Sequence, residues 1–526
     1  MHSTALILLA AAIAGASPAL APADPVFVLR RGNDTIAVER FTRTAGRISG
    51  ELLIKQGGLR FRYVADLDSE GRAVKVENKV WMATDSTGAT PRQSAVLTFE
   101  DAVAVVAIEG GGTQRIPTKA GVYAHINPSF ALWEPMVAAA KRTGKETFSA
   151  FTLSGGQTFD AKITFVGRDS ALVDAPGGEV RLKVGPDGAI LGGYIAAQGL
   201  TIERSEGTAT EALRVEKPDY SAPAGAPYDA IDVTVPTPMG HTLAGTLTLP
   251  HGASASHRVP AVVTITGSGG QDRDEAIPLF KGFRPFREFA DSLGRRGIAV
   301  LRMDDRGIGG SGGDPNTSTS ADFAQDIRAG LAYLRTRPEI DASHLALIGH
   351  SEGGIIAPMV ALEEPTLSGI VLLAGTSRSG REILSFQLPN LIKGNTNLTP
   401  AQKDSALKEV PAQIDSMAAQ RAWSKFFIQY EPLTTARKVK TPVLVLNGAT
   451  DQQVTPDQVP ELVSAFKRAG NKDVTSHVFP NLNHLFVYDP SGFPGGYTQL
   501  ESFKVDPGVI TMVADWLAKR LIPGTS

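Results

Sequence analysis

The chain has 526 residues, 42% of them hydrophobic and 20% charged, which are ordinary globular values in a length that exceeds what one hydrophobic core organises. Its 52 basic and 54 acidic residues leave a formal charge of −2, so there is no electrostatic case for nucleic acid or an anionic membrane surface as a partner. Cysteine is absent, which excludes disulfides, thiolate nucleophiles and zinc–thiolate sites.

The first 25 residues, MHSTALILLAAAIAGASPALAPADP, hold an apolar run from Ala5 to Ala14 followed by small residues in A-x-A patterns at Ala14-Gly15-Ala16, Ala19-Leu20-Ala21 and Ala21-Pro22-Ala23. This reads as an export signal over residues 1–23, and predicts a periplasmic or secreted protein, although only His2 stands where Lys or Arg is usual. No later segment approaches the roughly 18 apolar residues of a membrane span, so no stable membrane insertion is expected.

From 25 to 216 the chain alternates apolar and polar residues in short runs such as VFVLRRG, LRFRYVADL and AVKVENKVW, broken by Gly, Asp and Asn. Period-two patterning of this kind predicts antiparallel sheet. One helix is expected in PSFALWEPMVAAAKRTG, and no cluster of Ser, His and acid occurs at an interpretable spacing. This half is therefore read as a β-rich accessory domain.

Residues 217–230, rich in Pro, Ala and Gly, read as a linker. The pattern then changes over 231–526. After a hairpin in YDAIDVTVPTPMGHTLAGTLTLP come the apolar runs AVVTITG, GIAVLRMD, LALIGHS, GIVLLAG, TPVLVLNG and VTSHVFP. Continuous apolar runs separated by helical stretches such as FREFADSLGRRG predict strands covered on both faces, hence a mostly parallel α/β sheet. Between about 376 and 440 the alternation is interrupted by a polar, helix-favouring insertion, read as a cap over the carboxyl ends of the strands, where open α/β sheets bind ligands. Its aromatics Trp423, Phe426, Phe427 and Tyr430 are candidates for facing substrate or for packing the insertion down.

The run LALIGHSEGG ends a buried strand in G-x-S-x-G, with Ser351 between Gly349 and Gly353. A strand that turns directly into a helix through a serine needs close backbone approach on both sides, which glycine permits. A serine hydroxyl also needs a base, and the base a carboxylate to hold its tautomer. His484, in FPNLNHLF after the last predicted strand, and Asp451, in LVLNGATDQQV, supply both in the order Ser, Asp, His. His477 falls inside a strand, and His350 is expected to turn away from Ser351. Asp304 and Asp305 precede the serine and fit that order badly. Backbone N–H donors for a developing oxyanion are expected from Glu352 and from Ser268, which follows AVVTITG. The glycines of RMDDRGIGGSGG lack the G-K-[ST] of a phosphate loop and are read as loop architecture around the site.

TGSGGQDRDE, DDRGIGGSGG, GHSEGG, NGATDQQV and NLNH occur in the order found in the α/β-hydrolases, and the resemblance covers roughly Tyr228 to Ser526. Within that superfamily the chain resembles exported bacterial carboxylesterases that are related to serine aminopeptidases and carry a β-rich N-terminal extension. The resemblance implies a Ser351–His484–Asp451 mechanism with no metal or organic cofactor, acting on a small-molecule ester. An amino- or oligopeptidase of the same fold is the alternative. Glu352 departs from the small or apolar residue that many esterases have there, and is read as repelling anionic acyl groups or binding a substrate amine.

Overall fold

A computed structural model of the protein describes residues 24–55, 58–83, 91–109, 112–153, 156–175, 178–206, 218–277, 280, 282–394, 400–522 and 524. The export signal read over residues 1–23 lies outside them. The chain divides into two compact units, Met1–Glu216 and Lys217–Ser526.

In the first unit, fifteen strands among the described residues form one sheet. The first eight, from Pro25–Arg31 to Gly112–Pro117, run as an antiparallel meander, and Leu200–Glu206 closes back onto Pro25–Arg31. The helix read from PSFALWEPMVAAAKRTG starts only at Glu134 and runs to Thr143, with Pro135 in its first turn and Gly144 at φ +71° ending it. The residues upstream of it have another use. The backbone N–H groups of Phe130 and Ala131 donate to Glu39 Oε2 at 2.8 and 3.0 Å, and the Tyr63 and Ser129 hydroxyls donate to Oε1 at 2.6 and 2.5 Å. Burial pushes the Glu39 carboxyl up, and these four donors pull it back. The first unit thus has a polar knot inside a core of residues such as Phe27, Phe41 and Ile126.

The second unit is a sheet of eight strands: β1 (Tyr228–Pro236), β2 (Thr242–Pro250), β3 (Val259–Ile265), β4 (Ala299–Met303), β5 (Ile340–His350), β6 (Gly369–Leu373), β7 (Val443–Gly448) and β8 (Val474–Phe479). Their order is β1-β2-β4-β3-β5-β6-β7-β8, with β1 and β2 antiparallel at one edge and β3 to β8 parallel. Its helices are α1 (Pro285–Gly294), α2 (Ser320–Thr336), α3 (Gly353–Glu363), α4 (Gly380–Gly394), α5 (Pro400–Gln420), α6 (Ala422–Gln429), α7 (Pro432–Ala436), α8 (Gln458–Arg468) and α9 (Pro507–Leu521). Because side chains alternate across a strand, neighbouring core residues serve opposite faces. Val263, Leu347 and Ile370 meet Leu331 of α2, Val360 of α3 and Phe466 of α8. Val262, Ile348 and Val371 meet Phe286 and Phe289 of α1 and Val513 and Leu517 of α9. This two-sided burial is why β4 and β6 are apolar almost throughout and fully buried.

One sequence boundary shifts. β1 begins at Tyr228, inside the stretch read as linker to residue 230. The preceding residues are also anchored: Tyr220 lies 4.2 Å from the Arg273 guanidinium and donates to Asp272 Oδ2 at 3.0 Å. Between β6 and β7, where the insertion was read, α4 to α7 interrupt the alternation, with a small core of Val410, Ile414 and Ile428 of their own. No helix among the described residues is long and apolar enough to cross a membrane.

Candidate active site

Ser351 occupies the turn between β5 and α3 at φ +52°, a left-handed conformation that a non-glycine residue adopts only where its surroundings enforce it. The flanking glycines are dictated by contact. A Cβ on Gly349 would come within 2.1 Å of the Gly353 carbonyl oxygen, and one on Gly353 within 2.3 Å of the Ile265 carbonyl oxygen. The Ser351 N–H donates to the Leu373 carbonyl at 2.8 Å, tying the turn to the end of β6.

Asp451 and His484 arrive from the two following strand ends. Asp451 lies past β7, where its Oδ1 accepts the N–H groups of Gln453 and Val454 at 2.7 and 2.9 Å. His484 lies past β8, next to the buried Asn483, whose Oδ1 accepts from Leu485 and Val487 and pins the loop. Asp451 Oδ2 is 2.8 Å from His484 Nδ1, and His484 Nε2 is 3.1 Å from Ser351 Oγ. The structure therefore brings the three sequence-derived residues into one chain of hydrogen bonds, with the acid and the imidazole buried.

Ser268 and Glu352 border the same cavity of about 420 Å³ as Ser351. Glu352 requires a correction. Read as a free carboxylate, its side chain is only 3% exposed, and its Oε1 accepts from Ser320 Oγ at 2.6 Å and from the cap residue Trp423 Nε1 at 2.8 Å. The Ser268 side chain is a further donor. Burial pushes the Glu352 carboxyl up, opposed by these bonds. Through Oε1, Glu352 joins the nucleophile turn to Ser320 and to the cap residue Trp423.

The cap supplies the cavity's apolar wall. Trp423 and Phe427, one helical turn apart on α6, stack at 5.1 Å and line it with Ile355, Ile383, Leu485 and Tyr497. Phe426 and Tyr430 stack on each other at 5.2 Å and are not part of that wall.

The loops after β3 and β4 are cross-tied by the residues that sequence order set aside. Arg273 pairs with Asp304 through Nε at 3.0 Å and Nη2 at 2.8 Å, while Asp305 accepts from Thr266 Oγ1 at 2.6 Å and Gln271 N at 2.9 Å. Asp274 pairs with Arg302 and Arg284. The His350 ring packs beside that of His484, with centroids 5.0 Å apart, and borders the cavity without bonding Ser351. Its Nδ1 is 2.7 Å from Glu275 Oε1 and its Nε2 3.0 Å from the His484 carbonyl oxygen. Sequence reasoning missed Glu275; the only signal was its place in the charged run QDRDE. His477 lies on β8 against Phe479, apart from the cavity.

Residues 283–491 match the Hydrolase_4 family, described as serine aminopeptidase, S33. The chain is 25% identical over 295 residues to dipeptidyl aminopeptidase BIII of Pseudoxanthomonas mexicana, covering 54% of this chain and 39% of that protein. Among solved structures it is similar to an esterase of Pyrococcus furiosus, Pf2001, at 17% identity over 59% of this chain and 96% of that one, with a TM-score of 0.40. Esterase EstD of Thermotoga maritima is 30% identical over 316 residues, which cover 58% of this chain and 70% of that protein. The chain belongs to the α/β-hydrolase superfamily. It is a serine hydrolase of that fold, and the span matched by the family model holds Ser351, Asp451 and His484 but neither Ser268 nor Glu275.

Proposed function

We propose that the protein is a carboxylesterase working through an acyl-enzyme at Ser351. The observation that carries this reading is the Asp451–His484–Ser351 hydrogen-bond chain opening into a cavity walled by Trp423, Phe427 and Ile383. His484 Nε2 takes the Ser351 Oγ proton as Oγ attacks the ester carbonyl, and the same nitrogen returns it to the departing alcohol. Asp451 holds Nδ1–H toward itself and balances the imidazolium that forms. The amides of Glu352, at the first turn of α3, and Ser268 are the donors for the tetrahedral oxyanion. Water activated by His484 then hydrolyses the acyl-enzyme.

A peptidase reading has support in the family description and in the dipeptidyl aminopeptidase relative. An aminopeptidase needs an accessible anion for the substrate's N-terminal amine, either Glu352, whose Oε1 is engaged by Ser320 and Trp423, or an acidic residue of the insertion. The test is kcat/KM for an aminoacyl p-nitrophenyl ester against the matching p-nitroanilide, each with the amine free and acetylated. An esterase prefers the ester and is indifferent to the acetyl group. A preference for free-amine anilide would establish the peptidase.

A further inference from the structure

Glu275 and His350 form a buried pair whose hydrogen-bond inventory is unusually restrictive. Glu275 is 1% exposed and sits at φ +57°, a conformation imposed by its loop. Its Oε1 accepts the Gly267 N–H at 2.8 Å and faces His350 Nδ1 at 2.7 Å, while His350 Nε2 faces the His484 carbonyl at 3.0 Å. A carbonyl only accepts, so Nε2 carries hydrogen. The contact between Nδ1 and Oε1 needs a second hydrogen, and the pair therefore shares one proton, as imidazolium with carboxylate or imidazole with carboxylic acid. Either form is neutral overall.

The pair links two loops that border the site. On one side it holds Gly267, the residue before Ser268, and a Cβ on Gly267 would come within 3.0 Å of Glu275 Oε1 and 3.3 Å of Ser351 Cβ. On the other it holds the backbone of His484 itself. We propose that Glu275 and His350 are positioning residues for acyl transfer, fixing the Ser268 loop and the His484 main chain in one register through their shared proton. This rests on the reading of Ser351 and His484 as nucleophile and base. The electrostatics agree with the geometry: burial disfavours the His350 imidazolium, but Glu275, the His484 carbonyl and Asp451 outweigh it and raise the pKa. The other ionisable groups around the pair have their own partners. Asp451 is bound to His484, Asp305 to Thr266 and Gln271, and Glu352 to Ser320 and Trp423.

Glu275→Gln isolates the shared proton, because it keeps shape while removing charge. Two donors, Gly267 N–H and His350 Nδ1–H, converge on one oxygen, so the amide oxygen must stay at that position. His350 can then make both of its bonds only as an imidazolium without a counter-ion, and it loses its proton at lower pH. Misplacement of a catalytic group on the ångström scale costs up to about a hundredfold in rate. For p-nitrophenyl acetate at pH 8, the variant is expected to lose about 10- to 100-fold in kcat with KM within about threefold, and to move the alkaline limb of the kcat–pH profile down by about one unit or more. His350→Leu, which can neither share the proton nor hold the carbonyl, should be impaired across the whole pH range, and Glu275→Gln should add little to it.

The wild-type enzyme is first treated with a fluorophosphonate probe and the labelled peptide identified. Absence of label at Ser351 overturns the esterase reading. If Ser351 labels and Glu275→Gln retains both wild-type kcat and the wild-type alkaline limb, the positioning role falls while the esterase reading stands. Should His350→Leu fail to unfold cooperatively, the isosteric Glu275→Gln profile decides alone.

Discussion

Asp451→Asn should abolish most activity through the histidine tautomer, and the structure fixes which way the amide must face. Asp451 Oδ1 accepts the backbone N–H groups of Gln453 and Val454, and neither donor can be reversed. The asparagine oxygen therefore takes that position and its NH₂ group takes the place of Oδ2, 2.8 Å from His484 Nδ1. An amide N–H pointing at Nδ1 forces that nitrogen to accept, which moves the imidazole hydrogen to Nε2, facing Ser351 Oγ. Nε2 then has no lone pair for the serine proton. The wrong-tautomer defect in a serine triad is worth about 10⁴ in kcat, or about 5.4 kcal/mol at 1.36 kcal/mol per decade. Steady-state hydrolysis of p-nitrophenyl acetate measures it, and urea unfolding checks that the variant has kept its stability, since every hydrogen-bond position remains filled. A folded Asp451→Asn enzyme within about tenfold of wild type would refute the assigned connectivity of acid, imidazole and serine.

Ser351→Ala and His484→Ala should each remove about 10⁴ to 10⁶ of kcat, and the double variant about the same, because the two act as a unit; near-additive losses would separate their roles. Gly353→Ala places a methyl group 2.3 Å from the Ile265 carbonyl oxygen, so it should cost about 1–3 kcal/mol or more of stability in urea unfolding, and an unchanged midpoint would mean that the β5–α3 turn relaxes freely. In the first unit, Glu39→Ala strands the Tyr63 hydroxyl and the Phe130 and Ala131 N–H groups, a loss of about 3 kcal/mol or more. Glu39→Gln should be much milder, since the Tyr63 and Ser129 hydroxyls can turn to accept from the amide; hydrogen exchange at Phe130 and Ala131 distinguishes the two, and equally small effects would show that Glu39 is not the organising group.

What sequence made legible is what repeats in a local pattern or sits at a strand end. The parallel strands could be read because burial on both faces makes them continuously apolar, as in GIVLL and AVLRM. Ser351 could be read because Gly349 and Gly353 answer a backbone contact local to one turn. Asp451 and His484 follow from the rule that loops after successive strands converge on one edge of the sheet, and the structure brings them within hydrogen-bonding distance of one another and of Ser351. The start of the N-terminal helix was misjudged for a non-local reason: PSFALW has helical composition, but the N–H groups of Phe130 and Ala131 are claimed by Glu39, about ninety residues away in sequence.

The same non-locality hides the support of the site. The charges of QDRDE carry no local signal of their partners, and its members have distinct and distant ones: Asp272 holds Tyr220, Arg273 holds Asp304, Asp274 holds Arg302 and Arg284, and Glu275 holds Gly267 and His350. His350 is similarly deceptive, because strand alternation places it opposite its neighbours but says nothing about the loop after β8 whose His484 carbonyl accepts its Nε2–H. Buried carboxylates of this kind are costly unless every donor is in place, so each ties a loop to one position. Among non-glycine residues with positive φ, Glu275, Ser351, Ala374, Asn481 and Phe486 all lie in segments that follow parallel strands, and Glu275 and Ser351 line the cavity. Backbone held in such conformations persists only when its surroundings over-determine it. For Glu275 the Gly267 N–H and His350 supply that determination, and for Ser351 the Leu373 carbonyl does, while Arg273 pairs with Asp304 and Asp305 ties the loop after β4 to Gln271. Arg273 with Asp304 and Asp274 with Arg302 thus fix the loops that carry Ser268 and Glu275 to the cavity without lining it themselves, so a substitution at Arg273 or Asp274 should act on the rate at Ser351 without touching the substrate.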